Sequence, residues 1–86
     1  MEYVLKAIFR QLKLDYKPYM LVNNYGYTTK NDKYRVDIRH VLNVYGVSTD
    51  YWSMKVFSQE TDKMLFEREL DDMKQEELME LIKKYT

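Results

Sequence analysis

The chain has 86 residues, in which 14 Lys and Arg balance 14 Asp and Glu, with one histidine and no cysteine. The absence of cysteine excludes a disulfide framework, a zinc site built on thiolates and a cysteine nucleophile. Hydrophobic residues make up 45% of the sequence, which is enough for a core. We therefore expect one small α+β domain over residues 1–86.

The sequence also gives an expectation about location. Residues 1–6 show no basic segment leading into a long apolar run, so no signal peptide is predicted. No apolar segment approaches the roughly 18 residues that a membrane span needs. We expect a soluble cytoplasmic protein without membrane association.

The charge is distributed unevenly. Residues 1–40 carry eight Lys and Arg against four Asp and Glu, whereas residues 60–80 carry three against nine. A chain with one basic and one acidic region favours protein recognition or self-association over general nucleic-acid binding, which needs a clearly positive domain. A homodimer that joins the basic region of one copy to the acidic region of another is compatible with this pattern.

Residues 2–13 are predicted to form an amphipathic helix, with Lys6, Arg10 and Lys13 on its polar face. Pro18 disfavours helical geometry at the preceding residue, so the helix should end before it. The apolar stripe consists of Val4, Leu5, Ile8, Phe9 and Leu12.

A hairpin is predicted about Asn31-Asp32, residue types that tolerate tight turns. A loop of these two residues, or of residues 30–33, places Thr29 opposite Tyr34. Gly26 is expected at a bulge or a close backbone approach. Alternation places Tyr25, Tyr27, Tyr34, Val36 and Ile38 on the core face and Gly26, Thr28, Arg35, Asp37 and Arg39 on the other.

Residues 37–45 fit two structures. Apolar residues recur at helical spacing, with Gly46 placed to end a helix, but β-branched residues are dense. We favour a strand that continues the hairpin.

A second hairpin joins residues 51–58 to residues 64–70 through a three-residue loop at 60–62. It pairs Val56 with Phe66, Trp52 with Leu70, and Lys55 with the oppositely charged Glu67.

The last helix should begin after Asp71-Asp72, where Asp72 and Gln75 have the spacing of a capping box. Its apolar stripe is Leu78, Leu81, Ile82 and Tyr85. The order of helix, two hairpins and helix predicts an antiparallel sheet of about four strands, with helices covering its apolar face.

The side chains that catalyse reactions are scarce. His40 is the single histidine, and one histidine with neighbouring carboxylates does not make a metal site. Neither Ser48 nor Ser58 has the surroundings of a nucleophile, and the isolated glycines match no phosphate-binding loop. We expect no enzyme activity, no cofactor and no metal, and a structural role for His40.

An acidic surface is the leading candidate for partner binding. Carboxylates of this kind can occupy a basic groove on another protein in place of phosphates. We expect a small regulator, inhibitor or adaptor, and the compact, Tyr- and Lys-rich chain would suit an accessory protein of a phage or other mobile element. The candidate contact residues are Phe57, Leu65, Glu67, Glu69, Asp72, Glu76, Glu77 and Glu80.

The alternative is a nucleic-acid-binding module. Basic residues on the first helix and on the polar sheet face would contact phosphates, with exposed aromatic rings stacking on single-stranded bases. The ordinary explanation of these residues is a solvated helix face. The candidates are Lys6, Arg10, Lys13, Lys17, Arg35 and Arg39.

Overall fold

The computed structural model describes residues 1–21, 24–42 and 48–86. Within them it shows an α+β fold, in which the first and last elements of the chain are helices and the elements between them form an antiparallel sheet. The predicted fold class is confirmed, with five strands rather than about four. The elements are α1 (Glu2–Gln11), β1 (Lys17–Leu21), β2 (Asn24–Lys30), β3 (Tyr34–Leu42), β4 (Ser48–Ser58), β5 (Met64–Glu69) and α2 (Gln75–Lys84).

The sheet is a meander, in which the strands lie side by side in chain order, β1-β2-β3-β4-β5, and all pairs are antiparallel. Both helices pack on the same face, because their buried residues join one cluster with the inward side chains of β2, β3 and β4. The core consists of Leu5, Ile8, Phe9, Tyr27, Val36, Ile38, Trp52, Met54, Val56, Leu70, Leu78 and Ile82.

The opposite face of the sheet, called here the open face, carries the polar side chains. The predicted faces of the first hairpin are confirmed: Tyr27, Val36 and Ile38 are buried, and Tyr25 and Tyr34 pack against the core. Most tyrosines of this hairpin therefore stabilise the core. The open face includes Tyr19, Thr28, Arg35, Asp37, Arg39, Ser53, Lys55, Phe57, Glu67 and Glu69.

The predicted register of the first hairpin is wrong by two residues. Thr29 pairs with Val36 instead of Tyr34, and Lys30 pairs with Arg35. The turn is centred on Asp32-Lys33, one residue later than predicted. The Asn31 N–H donates to the Tyr34 carbonyl at 2.9 Å, and the Asn31 side-chain oxygen accepts hydrogen bonds from the main-chain N–H groups of Lys33 and Tyr34, at 2.8 and 2.7 Å. A shift of two residues keeps each side chain on its face, so the face prediction survived.

β1 is the strand that the sequence did not predict. It lies at the edge of the sheet, where Pro18 is tolerated although it has no N–H group. Helix α1 ends at Gln11, two residues earlier than predicted, and Lys13 adopts a left-handed conformation with φ of 55°. The chain then turns back so that Tyr16 contacts the rings of Phe9 and Tyr27, with centroid distances of 4.6 and 5.4 Å.

The position of β3 decides between strand and helix for part of residues 37–45. Residues 37–42 belong to a strand, as favoured, whereas residues 43–45 and Gly46 lie outside the described residues. Gly26 confirms the expected close approach: a Cβ atom there would lie 2.0 Å from the Ile38 carbonyl oxygen.

The second hairpin has the predicted register over most of its length. Val56 pairs with Phe66 and Lys55 with Glu67, and the Leu70 N–H donates to the Trp52 carbonyl at 2.9 Å. The loop differs, because the register shifts after Val56. Phe57 pairs with Met64, which leaves Leu65 at a bulge.

The predicted capping box of α2 is wrong. Lys74 is the N-cap residue, and no described side chain caps the helix. Instead, Asp72 lies 3.5 Å from the Arg68 guanidinium, and Asp71 accepts a hydrogen bond from the Trp52 N–H at 2.7 Å. The predicted apolar stripe of α2 is confirmed, with its residues buried or half-buried. Among the described residues, no helix has the length and apolar character needed to cross a membrane.

Candidate partner-binding surface

The β4–β5 hairpin presents a mixed acidic and apolar surface. Every residue of β5 except the half-buried Phe66 is exposed. Met64 and Leu65 are 52% and 55% exposed, which is unusual for two adjacent large apolar side chains. The bulge accounts for their position, because it interrupts the alternation that would turn one of them inward.

Two glutamates continue this surface along the open face of β5. Glu67 lies directly across from Lys55 on β4. Glu69 accepts a hydrogen bond from the Tyr51 hydroxyl, which is the main reason that the pKa of Tyr51 rises to about 12. Both glutamates therefore lie on the same face of the sheet, and the Tyr51 hydroxyl holds the carboxylate of Glu69.

A shallow groove of about 380 Å³ runs along the outer edge of β5. Its walls include the half-buried Phe66 ring and the Arg68–Asp72 ion pair. Of the predicted acidic residues, Asp72 thus joins Glu67 and Glu69 around one groove. The lining residues are Phe66, Glu67, Arg68, Glu69 and Asp72.

The other predicted acidic residues lie elsewhere. Glu76, Glu77 and Glu80 are exposed on α2, which packs on the core face of the sheet. The sheet therefore separates them from the side chains of Glu67 and Glu69 on the open face. The structure does not gather all the predicted contact residues into one continuous patch.

Of the predicted apolar pair, only Leu65 is well exposed. Phe57 is half-buried, because the Arg35 guanidinium lies 4.4 Å from the centre of its ring. This cation–π contact joins neighbouring strands on the open face. Sequence reasoning missed the exposure of Met64, and the sequence carried no signal for the bulge that causes it.

The basic residues line two neighbouring cavities, and Tyr16 lines both of them. One, of about 290 Å³, is lined by Lys6 and Arg10 of α1 and by Lys13, which follows the helix. The other, of about 530 Å³, is lined on the open-face side by Lys17, Thr28, Lys30 and Arg35, and Asp15 adds a carboxylate to its wall. The predicted basic candidates thus converge near Tyr16, except Arg39.

Carboxylates neutralise part of this basic region. Asp37 lies 3.9 Å from the Arg35 guanidinium and 3.7 Å from that of Arg39, and it accepts a hydrogen bond from Thr28 at 2.8 Å. Arg35 also contacts Asp62 at 2.9 Å. The two arginines on the open face therefore have less charge available for a ligand than the lysines.

Tyr19 and Arg39 form a half-buried corner of the open face. Burial raises the pKa of Tyr19, and the positive charge of Arg39 opposes that effect. The Tyr19 hydroxyl and Arg39 Nε make no hydrogen bond of regular geometry with the described residues. Both atoms are buried, so neither is an accessible donor or acceptor for a ligand.

His40 belongs to the core rather than to an accessible site. Its ring stacks on Trp52 with a centroid distance of 4.8 Å, and its Nδ1 lies 2.8 Å from the Tyr25 hydroxyl. The side chain is buried. Within the described ranges, no three His, Cys, Asp or Glu side chains converge in the manner of a metal site.

Comparison with protein-family models, with curated proteins and with solved structures found no match for this chain.

Proposed function

We propose that this protein is a non-enzymatic protein-binding module, acting as a small regulator, inhibitor or adaptor. Its contact site is the hairpin surface, defined as Phe57, Met64, Leu65, Glu67 and Glu69. The observation that carries the proposal is the exposure of Met64 and Leu65 beside two carboxylates on one hairpin.

The apolar pair supplies binding energy when a partner covers it. Both side chains are about half exposed, so covering them contributes roughly 1 kcal/mol each. Their position on adjacent residues allows one partner surface to contact both.

The carboxylates determine the type of partner. Glu67 and Glu69 favour a protein surface that carries lysine or arginine, and complementary charge increases the association rate and rejects acidic partners. Because these glutamates lie apart from those on α2, the contact site is the β4–β5 hairpin and excludes α2.

The test is capture of proteins by the tagged chain from lysate of its source cells, with and without nuclease treatment. Two double variants remove the site: Met64→Gln with Leu65→Gln, and Glu67→Lys with Glu69→Lys. The matched control, Glu76→Lys with Glu77→Lys, reverses the same charge on α2. We expect a stoichiometric protein partner that both site variants lose and the control retains. Loss in the control alone, or capture of nucleic acid only, would contradict the proposal.

Nucleic-acid binding is the second candidate, favoured by the two cation-lined cavities that meet at Tyr16. A half-exposed aromatic ring between lysines can stack on a base while the lysines contact phosphates. The test is binding of a fluorescent single-stranded oligonucleotide at two salt concentrations. Lys13→Glu with Lys17→Glu should weaken binding at least tenfold and flatten its salt dependence. The matched control is Lys63→Glu with Lys83→Glu, and equal loss in that control would refute site-specific binding.

A further inference from the structure

The outer edge of β5 has main-chain hydrogen-bonding groups that the sheet does not use. β5 is the last strand in the sheet, and within the described residues it pairs only with β4. In an antiparallel pair, the main-chain groups of alternate residues point toward the partner strand and away from it. The hydrogen bond from Leu70 to Trp52 sets this alternation. Phe66 and Arg68 therefore point toward β4, whereas Glu67 and Glu69 direct their N–H and C=O groups outward.

The two edges of the sheet differ in how well they are protected. Native sheets commonly block their edges with proline, bulges or charges. β1 contains Pro18, which removes a donor from that edge. β5 has no proline, and its bulge lies at one end, beside Leu65. Its regular part carries three charged residues, which restrict the strands that can pair there and leave the main-chain groups open. The stretch from Phe66 to Glu69 remains regular and open along the groove.

The side chains beside this edge specify what fits. Glu67 and Glu69 are two residues apart and lie on the same face. In a strand added next to β5, the residues opposite these glutamates would lie on that face too, where cations form favourable cross-strand pairs. The residue between them would lie directly across from Arg68, whose guanidinium contacts Asp72, and on the same face as the half-buried Phe66.

We propose that β5 accepts an extended segment of a partner protein as a sixth, antiparallel strand, with Lys or Arg at two alternate positions opposite Glu67 and Glu69. Residues between and beyond these cations are apolar and contact Phe66, Met64 and Leu65. Antiparallel addition matches the rest of the sheet and allows Glu67 and Glu69 each to exchange two hydrogen bonds with the segment. This inference rests on the proposed function and specifies the binding mode of the same hairpin surface.

The probe is a capped eight-residue peptide of alternating Lys and Val, added to the full chain. Binding should protect the Glu67 and Glu69 amides from hydrogen exchange and leave the Arg68 amide, already bonded to β4, unchanged. N-methylation of the Lys amides, which would face β5, should weaken binding at least about tenfold. The same modification on the Val amides, which would face solvent, is the matched control and should have little effect.

Two variants of the protein separate charge from main-chain pairing. Glu67→Gln removes one cross-strand ion pair and should weaken binding about two- to fivefold. Glu67→Pro also removes the outward N–H group, without touching the ladder to β4, and should weaken binding further.

The inference fails if the peptide does not bind at millimolar concentration, or if both N-methylated peptides bind equally. It also fails if the Glu67 and Glu69 amides exchange hydrogen as fast in the complex as in the free protein. If the N-methylated peptides bind equally while a captured protein is still lost in the two hairpin-surface variants, strand addition is refuted and the protein-binding function remains. If those variants retain the captured protein, the proposed function itself fails.

Discussion

Replacing Gly26 with alanine should destabilise the fold strongly. The added methyl group would lie 2.0 Å from the Ile38 carbonyl oxygen and 2.7 Å from the Arg39 Cα atom. Both obstacles are main chain of the neighbouring strand β3, so no side-chain rotation relieves the overlap. Either β2 and β3 separate or both strands bend, which weakens pairs at the centre of the sheet.

Two opposing contributions set the magnitude. Alanine lowers the conformational entropy of the unfolded chain, which alone would stabilise the protein by about 0.4–1 kcal/mol. Overpacking against main-chain atoms costs about 1–3 kcal/mol, and contacts this short lie at the upper end of that range. We expect a net loss of about 2 kcal/mol in the free energy of unfolding, from a total of roughly 4–13 kcal/mol for a chain of this length.

Urea denaturation followed by Trp52 fluorescence measures this loss. For a small domain, a loss of about 2 kcal/mol lowers the melting temperature by roughly 8–16 °C. Lys30→Ala, at the exposed end of the same strand, is the control and should change stability by less than about 0.5 kcal/mol. The reasoning is refuted if Gly26→Ala is as stable as this control.

Three further predictions concern the core and its connections. Met54→Ala, at a fully buried position, should lower the free energy of unfolding by about 2–5 kcal/mol in the same assay, and a smaller loss would mean that the core closes the cavity. Asp71→Ala should lower the free energy of unfolding by about 1 kcal/mol, because it removes the acceptor of the Trp52 N–H. Asp72→Ala removes only an exposed ion pair and should lower it by less. A larger loss for Asp72→Ala than for Asp71→Ala would contradict these roles. Burial, and then the hydrogen bond to Glu2, raises the pKa of Tyr27 from 10.0 to about 12. The protonated Tyr27 hydroxyl therefore contributes fully to stability below pH 10, and this contribution decreases as the pH rises toward 12. Tyr27→Phe should reduce this alkaline loss in denaturation curves across that range, and an unchanged loss would show that other groups cause it.

The sequence predicted the faces of the sheet better than its edges. Alternation placed Tyr27, Val36 and Ile38 on the core face, because period-2 burial appears directly in the order of residue types. The register was not predicted correctly because the hydrogen bonds of Asn31 centre the turn on Asp32-Lys33, one residue later than the residue types indicated. β1 was not predicted because Pro18 and a short segment of mixed polar and apolar residues give no strand signal. An edge strand also needs little burial to form.

The candidate site was likewise predicted only in part. The sequence indicated that Glu67 faces Lys55, since opposite charges at a plausible register favour pairing. It did not indicate that the sheet would separate Glu67 from Glu76, because that depends on the face to which α2 returns. Nor did it indicate that Leu65 would lie at a bulge, a local geometry that no residue type in the hairpin requires.

The meander order of the strands has a consequence for how the chain folds. Each strand pairs with its neighbour in sequence, so every hairpin closes a short loop and the entropy cost of closure is small. Contacts that span more than half of the chain form when α2 docks, as in the contact between the Tyr34 and Tyr85 rings. The sheet can therefore grow one hairpin at a time, and we expect faster folding than for sheets of the same size with crossed connections. Docking of the helices would complete the core.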